Sequence, residues 1–222
     1  MDEQRAAGRS LFELAQPYLR SGDKDGLARR LSEAWSGECL RMLLEDEDVD
    51  VARTAATCLG LVGDGDCGPA VARLLHHEAP SVVEAAEDAL WSLWFREGGP
   101  MARAVLMRIA RAIKAVDTEC VVPLLTELIR AYPDYAEAYH QRSQAYFLES
   151  AYQPALRDAR RAFKLNPLHF GALANQAHIH VALGRHQDAL QLYRQVLRIH
   201  PRFGGIRDAI HQLREHLTLA QA

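Results

Sequence analysis

Histidine is the residue type in this sequence with the most obvious capacity for metal binding or proton transfer. The 222-residue chain contains ten histidines, most of them in its second half. A neutral imidazole is a common metal ligand and a general acid or base near neutral pH. His178 and His180 are two residues apart, and His211 and His216 are five apart. These spacings turn each pair toward different faces of a helix, so we predict no metal site and no histidine-based catalysis.

The other reactive side chains are arranged no better for catalysis. Asp64-Gly65-Asp66 is shorter than a calcium loop, whose ligands span about 12 residues, and an aspartate before a helix serves as an N-cap. The sequence has no G-x-S-x-G motif and no phosphate-binding glycine loop. Four cysteines lack any C-x-x-C pairing, namely Cys39, Cys58, Cys67 and Cys120. Their irregular spacing argues against a zinc site or a disulfide framework, and we predict a non-enzymatic protein without a cofactor.

The composition excludes a disordered chain and a transmembrane chain. Hydrophobic residues make up 49% of the sequence, and the formal net charge is −3. No apolar run approaches the roughly 18 residues that span a bilayer. Residues 1–10 carry both signs of charge and lack the apolar segment of a secretory signal. Together with the unpaired cysteines, these features predict a cytoplasmic protein that does not associate with membranes.

The second half of the sequence repeats itself with a period of about 34 residues. Pro133, Pro167 and Pro201 fall on one register, and Ala155-Leu156 coincides with Ala189-Leu190. The apolar residues inside each unit have helical spacing, and a proline ends each unit because it cannot continue a helix interior. The sequence therefore predicts stacked helical hairpins in this half.

This pattern resembles the tetratricopeptide repeat (TPR). In the middle unit, the positions that define the repeat hold small and aromatic residues followed by proline, namely Tyr139, Ser143, Tyr146, Ala155, Ala162 and Pro167. Three positions depart from the pattern: Arg142 and Gln176 replace leucine, and His180 replaces tyrosine. The resemblance implies TPR units at about 102–135 (degenerate), 136–169 and 170–203, with a capping helix at 204–219.

The first half repeats with a shorter period of about 31 residues. Leu43-Leu44 coincides with Leu74-Leu75, and Leu59 coincides with Leu90. The glycine-rich turn after Leu59 resembles that of the short HEAT-like repeats of the phycobilisome-lyase type. The resemblance implies HEAT-like helical repeats with an N-terminal cap over residues 1–97. We therefore expect an all-α fold, a right-handed α-α superhelix (solenoid) of about 13 helices with a HEAT-like N-terminal half and a TPR C-terminal half.

Charge is distributed unevenly between the two halves. Residues 1–100 contain 10 basic and 19 acidic residues, whereas residues 101–222 contain 16 basic and 10 acidic ones. The acidic residues are densest in the segment 45–50. This asymmetry favours orientation of a partner or head-to-tail association into a homo-oligomer. It disfavours a nucleic-acid partner, because the acidic half would repel the phosphates.

The TPR resemblance also implies a binding groove lined by the first helix of each repeat. The candidate groove residues are His140, Gln144, Phe147, Leu148, Asn175, His178 and Ala182. A polar surface with an apolar contact suits an extended peptide or a helix. Among the positions that clamp a C-terminal carboxylate in co-chaperone TPR domains, only Asn175 matches.

We therefore predict a protein-interaction scaffold whose partner is a protein or peptide of unknown identity. Two alternatives remain open. One is a bilin-lyase-like enzyme accessory that handles a small ligand on the HEAT-like half, and the other is a self-assembling structural module.

Overall fold

A computed structural model describes residues 2–114 and 121–219 of the chain. Within these ranges the regular structure consists of thirteen α-helices and three single-turn 3-10 helices, without a β-strand. The predicted all-α fold of about 13 helices is therefore confirmed. None of the described helices is long and apolar enough to cross a membrane.

The chain divides into two compact units, Met1–Glu97 and Gly98–Ala222. The helices of the first unit are α1 (Asp2–Ser21), α2 (Lys24–Ala34), α3 (Gly37–Met42), α4 (Val49–Val62), α5 (Gly68–Arg73) and α6 (Pro80–Arg96). Those of the second unit are α7 (Gly99–Lys114), α8 (Val121–Ala131), α9 (Ala136–Leu148), α10 (Tyr152–Leu165), α11 (Phe170–Ala182), α12 (His186–Ile199) and α13 (Ile206–Leu219).

The shorter sequence period of the first unit corresponds to two similar elements. Each has a short helix, a 3-10 turn that begins at a buried leucine (Leu43 or Leu74) and a long helix. The long helices α4 and α6 pack closely, because a Cβ added to Gly60 would lie only 2.9 Å from Cα of Ala89. The guanidinium of Arg96 at the end of α6 donates to the carbonyls of Gly60 and Gly63, which satisfies carbonyl groups at the C-terminal end of α4.

The second unit is built from helix pairs. Helix α9 packs against α10 and α11 packs against α12, while α8 flanks α9 and α13 flanks α12. The turns inside the two pairs contain a left-handed residue at equivalent positions of the repeat: Ser150 has φ 58° and Gly184 has φ 70°. A left-handed residue there reverses the chain within a short turn.

The three departures from the TPR pattern all lie beside polar groups. Arg142 on α9 binds both carboxylate oxygens of Asp158 on α10, at 2.6 and 2.9 Å, and the Thr126 hydroxyl on α8 at 3.1 Å. Gln176 donates to the carbonyl of Ala159, 3.3 Å away, and His180 Nδ1 lies 3.3 Å from a carboxylate oxygen of Asp188. Polar contacts between helices therefore stand where the usual pattern has apolar or aromatic packing.

Candidate functional site

The predicted groove residues divide into a buried set and an accessible set. His140 and Asn175 are buried, with exposed fractions of 1% and 7%. Gln144 and Phe147 are half-buried. The accessible residues are Leu148, His178 and Ala182. All of them lie on α9 or α11, which contact each other, and their role in binding stays a prediction.

Asn175 connects three helices through one hydroxyl group. Its side-chain amide donates to Ser143 Oγ at 2.7 Å, and that hydroxyl donates to the carbonyl of Ala155 at 2.7 Å. Asn175 lies on α11, Ser143 on α9 and Ala155 on α10. Because these groups are buried, loss of one partner leaves the others without compensation for desolvation. Asn175 therefore holds the two groove-forming helices together.

Four of the groove residues occupy equivalent positions in successive repeats. Gln144 and His178 are one repeat period apart, as are Leu148 and Ala182. Phe147 lies beside them and contacts the ring of Tyr152, with the centroids 5.8 Å apart. The C-terminal turns of α9 and α11 therefore present polar and apolar side chains in the same repeat register.

A buried polar cluster lies at the other end of the same two helices. It consists of Glu137 and His140 on α9 and His169, the N-cap residue of α11. Nδ1 of His169 accepts the backbone N–H of Ala172 at 3.1 Å, and its Nε2 lies 2.8 Å from a carboxylate oxygen of Glu137. Gln141 donates to the other carboxylate oxygen at 2.6 Å. This network assigns the ring proton of His169 to Nε2.

Burial controls the charge of this cluster. Desolvation raises the pKa of Glu137 to about 7 and lowers the pKa of His140 and of His169 to about 3. Both imidazoles are therefore neutral at pH 7, because burial penalises the charged form. The ring centroids of His140 and His169 lie 4.6 Å apart. The two rings therefore pack against each other, and both are neutral.

The cluster brings together three side chains that are able to bind metals. One ligand atom from each of Glu137, His140 and His169 lies within 4.8 Å of the others. A metal bound to Nε2 of His169 would require the ring proton on Nδ1, where the N–H of Ala172 already donates. The observed hydrogen bonds therefore fit a helix cap and an interhelical contact better than a metal centre.

Sequence reasoning missed this cluster for two reasons. Glu137 and His169 lie in successive repeats, far apart in the sequence, and histidine is not among the preferred N-cap residues. The repeat register contains the one usable signal, since Glu137 and His140 stand where the next repeat has Gly171 and Ala174.

The cysteines of the described residues are free, namely Cys39, Cys58 and Cys67. Cys58 is buried, and desolvation raises the pKa of its thiol to about 12. The thiolate is the nucleophilic form of cysteine. Cys58 is therefore protonated and unreactive at neutral pH.

One of the helix pairs of the second unit, α11 and α12, matches a known protein family. Residues 170–203 match the family model of the tetratricopeptide repeat. This segment, which forms α11 and α12, is similar to a TPR. A TPR repeat-containing protein of Rhizobium etli is 27% identical over 146 residues, which cover 66% of this chain and 72% of that protein. Human serine/threonine-protein phosphatase 5 is 33% identical over 88 residues, 40% of this chain but only 18% of the phosphatase, so the chain spans less than a fifth of that enzyme.

Solved TPR structures share the fold. The first TPR domain of human RPAP3 superimposes with a TM-score of 0.52 at 20% identity, covering 55% of this chain and 95% of that domain. The Arabidopsis OM64 TPR domain gives a TM-score of 0.50 at 22% identity, with 52% and 95% covered. The first TPR of RPAP3 bound to the HSP90 peptide SRMEEVD gives 0.50 at 20% identity, with 53% and 93% covered. The expectation of TPR repeats is confirmed.

Proposed function

We propose that this protein is a non-enzymatic interaction scaffold whose TPR repeats bind an extended peptide or a helix of a partner protein. The observation that carries the proposal is the pair of equivalent accessible turns at the ends of α9 and α11. Leu148 on the first of them is 44% exposed, whereas the neighbouring Phe147 is half-buried. A TPR domain of the same fold binds an HSP90 peptide, which supports peptide binding as a use of this architecture.

Each groove residue has a distinct part in this proposal. Phe147 and Leu148 provide the apolar contact, and Gln144 and His178 provide hydrogen-bonding groups beside it. Ala182 leaves room next to His178 because its side chain is small. His140 and Asn175 are buried, and Asn175 fixes the spacing of α9 and α11 through Ser143. Peptide recognition then combines side-chain hydrogen bonds with one apolar anchor.

The experiment first selects a peptide ligand and then changes two residues of the proposed binding surface. A random-peptide display library is panned on the wild-type protein, and an enriched peptide is measured by fluorescence anisotropy. The groove variant carries Leu148→Glu and Ala182→Glu. The matched control carries Gln153→Glu and Gln187→Glu, two exposed residues that are also one repeat period apart. We expect at least tenfold weaker binding for the groove variant and unchanged binding for the control.

The two outcomes against this proposal are distinct. Equal binding by both variants would place the peptide elsewhere on the protein. A library from which no peptide is enriched would reject recognition of short linear peptides by these repeats.

We infer that the first unit is a pair of HEAT-like repeats that adds a second docking area. The support is its two similar elements, each with a 3-10 turn at Leu43 or Leu74 followed by a long helix. A bilin-lyase-like role at Cys58 has less support, because that thiol is buried and protonated. The free cysteines support a reducing compartment such as the cytoplasm.

A further inference from the structure

The first helix of the second unit leaves a wide basic face uncovered. Among the α7 side chains whose burial the structure describes, a narrow stripe is buried, formed by Ala102, Leu106 and Ile109. Its sequence, GPMARAVLMRIARAIK, contains four basic residues and no acidic one. Of these, Arg103, Arg108 and Arg111 are exposed. The uncovered part of α7 is therefore positively charged along its length.

Large apolar side chains stand among these arginines. Met101 is 75% exposed and Met107 is 36% exposed. At about 100° per residue, the order around the open side of the helix is Met107, Arg111, Ala104, Arg108 and Met101. Small Ala104 thus lies between two arginines, with a methionine on each flank. Exposed methionines beside charges are typical of protein-binding surfaces, because the flexible thioether adapts to a partner.

The first unit has a face of the opposite charge. The segment that runs from the turn after α3 into the first turn of α4 contains five acidic residues, Glu45, Asp46, Glu47, Asp48 and Asp50. Two exposed apolar residues flank this turn, Met42 at 59% and Val49 at 39%. We call this surface the acidic turn (residues 42–50) and the uncovered side of α7 the basic face (residues 101–111). Both surfaces combine one sign of charge with exposed apolar side chains.

The carboxylates of the acidic turn remain available to an incoming cation. Glu45 and Glu47 pair with Arg73 and Arg5 at 2.9 and 3.3 Å, with carboxylate side chains 70% and 90% exposed. Exposed pairs of this kind contribute only about 0–1 kcal/mol, so they exchange readily for other partners. Asp46 and Asp48 accept backbone N–H groups with one oxygen each, which leaves their other oxygens for further contacts.

We propose that the basic face of one molecule docks on the acidic turn of a second copy of this chain. The pairing is head to tail, so each bound molecule keeps one face of each kind for the next. Such heterologous contacts form rings if the rotation between neighbours closes, and open filaments if it does not. The groove on α9 and α11 takes no part, so peptide binding and self-association are separable.

Sedimentation velocity on the full chain tests this pairing. The basic-face variant carries Arg103→Glu, Arg108→Glu and Arg111→Glu. The acidic-turn variant carries Glu45→Lys, Glu47→Lys and Asp50→Lys, which leaves three lysines against two carboxylates and keeps Asp48, the N-cap of α4. The matched control carries Arg157→Glu and Arg160→Glu on α10, both exposed. We expect wild type and control to associate and each face variant to associate at least tenfold more weakly. Higher salt dissociates the wild type, since the Debye length falls from about 10 Å at 0.1 M to about 3 Å at 1 M.

A charge swap distinguishes pairing of these two faces from a general loss of solubility. Mixing the basic-face variant with the acidic-turn variant restores association, because the two native faces match each other and so do the two reversed faces. The chain with both faces reversed restores association with itself, because the charges again match. A wild type that is monomeric at every concentration, association that ignores salt, or a doubly reversed chain that stays monomeric would each overturn the proposal.

Discussion

Arg142 and Asp158 form a two-point ion pair between α9 and α10, with N–O distances of 2.6 and 2.9 Å and side chains only 15% and 11% exposed. The pair occupies a position where the TPR pattern has leucine. Breaking such a pair leaves an uncompensated charge, which costs about 3–5 kcal/mol when fully buried. We expect Arg142→Ala to lower the free energy of unfolding by roughly 2–3 kcal/mol, measured by urea denaturation.

A double variant distinguishes the contribution of the ion pair from the cost of leaving one buried charge without its partner. Arg142→Leu with Asp158→Leu removes both charges and restores an apolar position, so its stability should lie within about 1 kcal/mol of wild type. If the loss of stability in the double variant equals the sum of the losses in Arg142→Leu alone and Asp158→Leu alone, the ion pair itself contributes nothing.

The turn at Ser150 stores strain that its equivalent at Gly184 avoids. Ser150 adopts φ 58° and Gly184 adopts φ 70°, a left-handed conformation that costs an ordinary residue about 1 kcal/mol. We expect Ser150→Gly to raise the free energy of unfolding by about 0.5–1 kcal/mol. Gly184→Ala should lower it by a similar amount. Thermal denaturation of both variants tests this prediction. A destabilised Ser150→Gly protein would show that the backbone of Ser150 is not strained.

The buried histidines should make the second unit sensitive to acid. His140 has a folded pKa of about 3 against an ordinary value of 6.5, so its contribution is complete above pH 6.5 and is lost as the pH falls. For each extra proton that the unfolded state binds, the free energy of unfolding falls by about 1.4 kcal/mol when the pH is lowered by one unit. Between about pH 6 and pH 4, we expect His140→Ala to flatten the fall in stability by about one proton. Denaturant midpoints measured against pH supply the slope.

Glu137 acts in the opposite sense. Its pKa of about 7 exceeds the ordinary 4.5, so the folded state retains a proton that the unfolded state loses as the pH rises through this interval. The slope of the His140→Ala protein reports the removed histidine together with the shift that its loss causes in Glu137, because the charges of these two groups interact. Replacement of the exposed His211 on α13 by Gln is the control, and an equal flattening there would exclude the buried cluster as the cause.

Close packing at Gly60 gives a prediction for the first unit. A methyl group there would lie 2.9 Å from Cα of Ala89, whereas one at Gly68 would meet nothing within 4 Å. We expect Gly60→Ala to destabilise by about 1–3 kcal/mol, because α4 and α6 must separate. Gly68→Ala should be neutral or stabilising. Circular dichroism melting of the pair tests this, and equal melting temperatures would mean that the helices can move apart freely.

The two repeat periods of the sequence were sufficient to predict an all-α fold of about 13 helices, because each period contains apolar residues at helical spacing. They were less informative about side chains. Arg142 looked like a departure from the pattern because its partner, Asp158, lies on another helix. His140 was predicted to line a groove because its register position does so in other TPR proteins. Its burial depends on Glu137 and His169, and no spacing rule connects a histidine N-cap to a glutamate in the preceding repeat.

The hydroxyl of Ser143 has a mechanical consequence. It joins α9, α10 and α11 through Asn175 and Ala155, and the contact between His169 and Glu137 joins α9 to the start of α11. Two helices that are connected at two positions along their length cannot rotate about either contact alone. The joint between these repeats is therefore stiff, and the surface that the two helices share has a fixed width. Such a surface would select a ligand by the shape that the ligand already has.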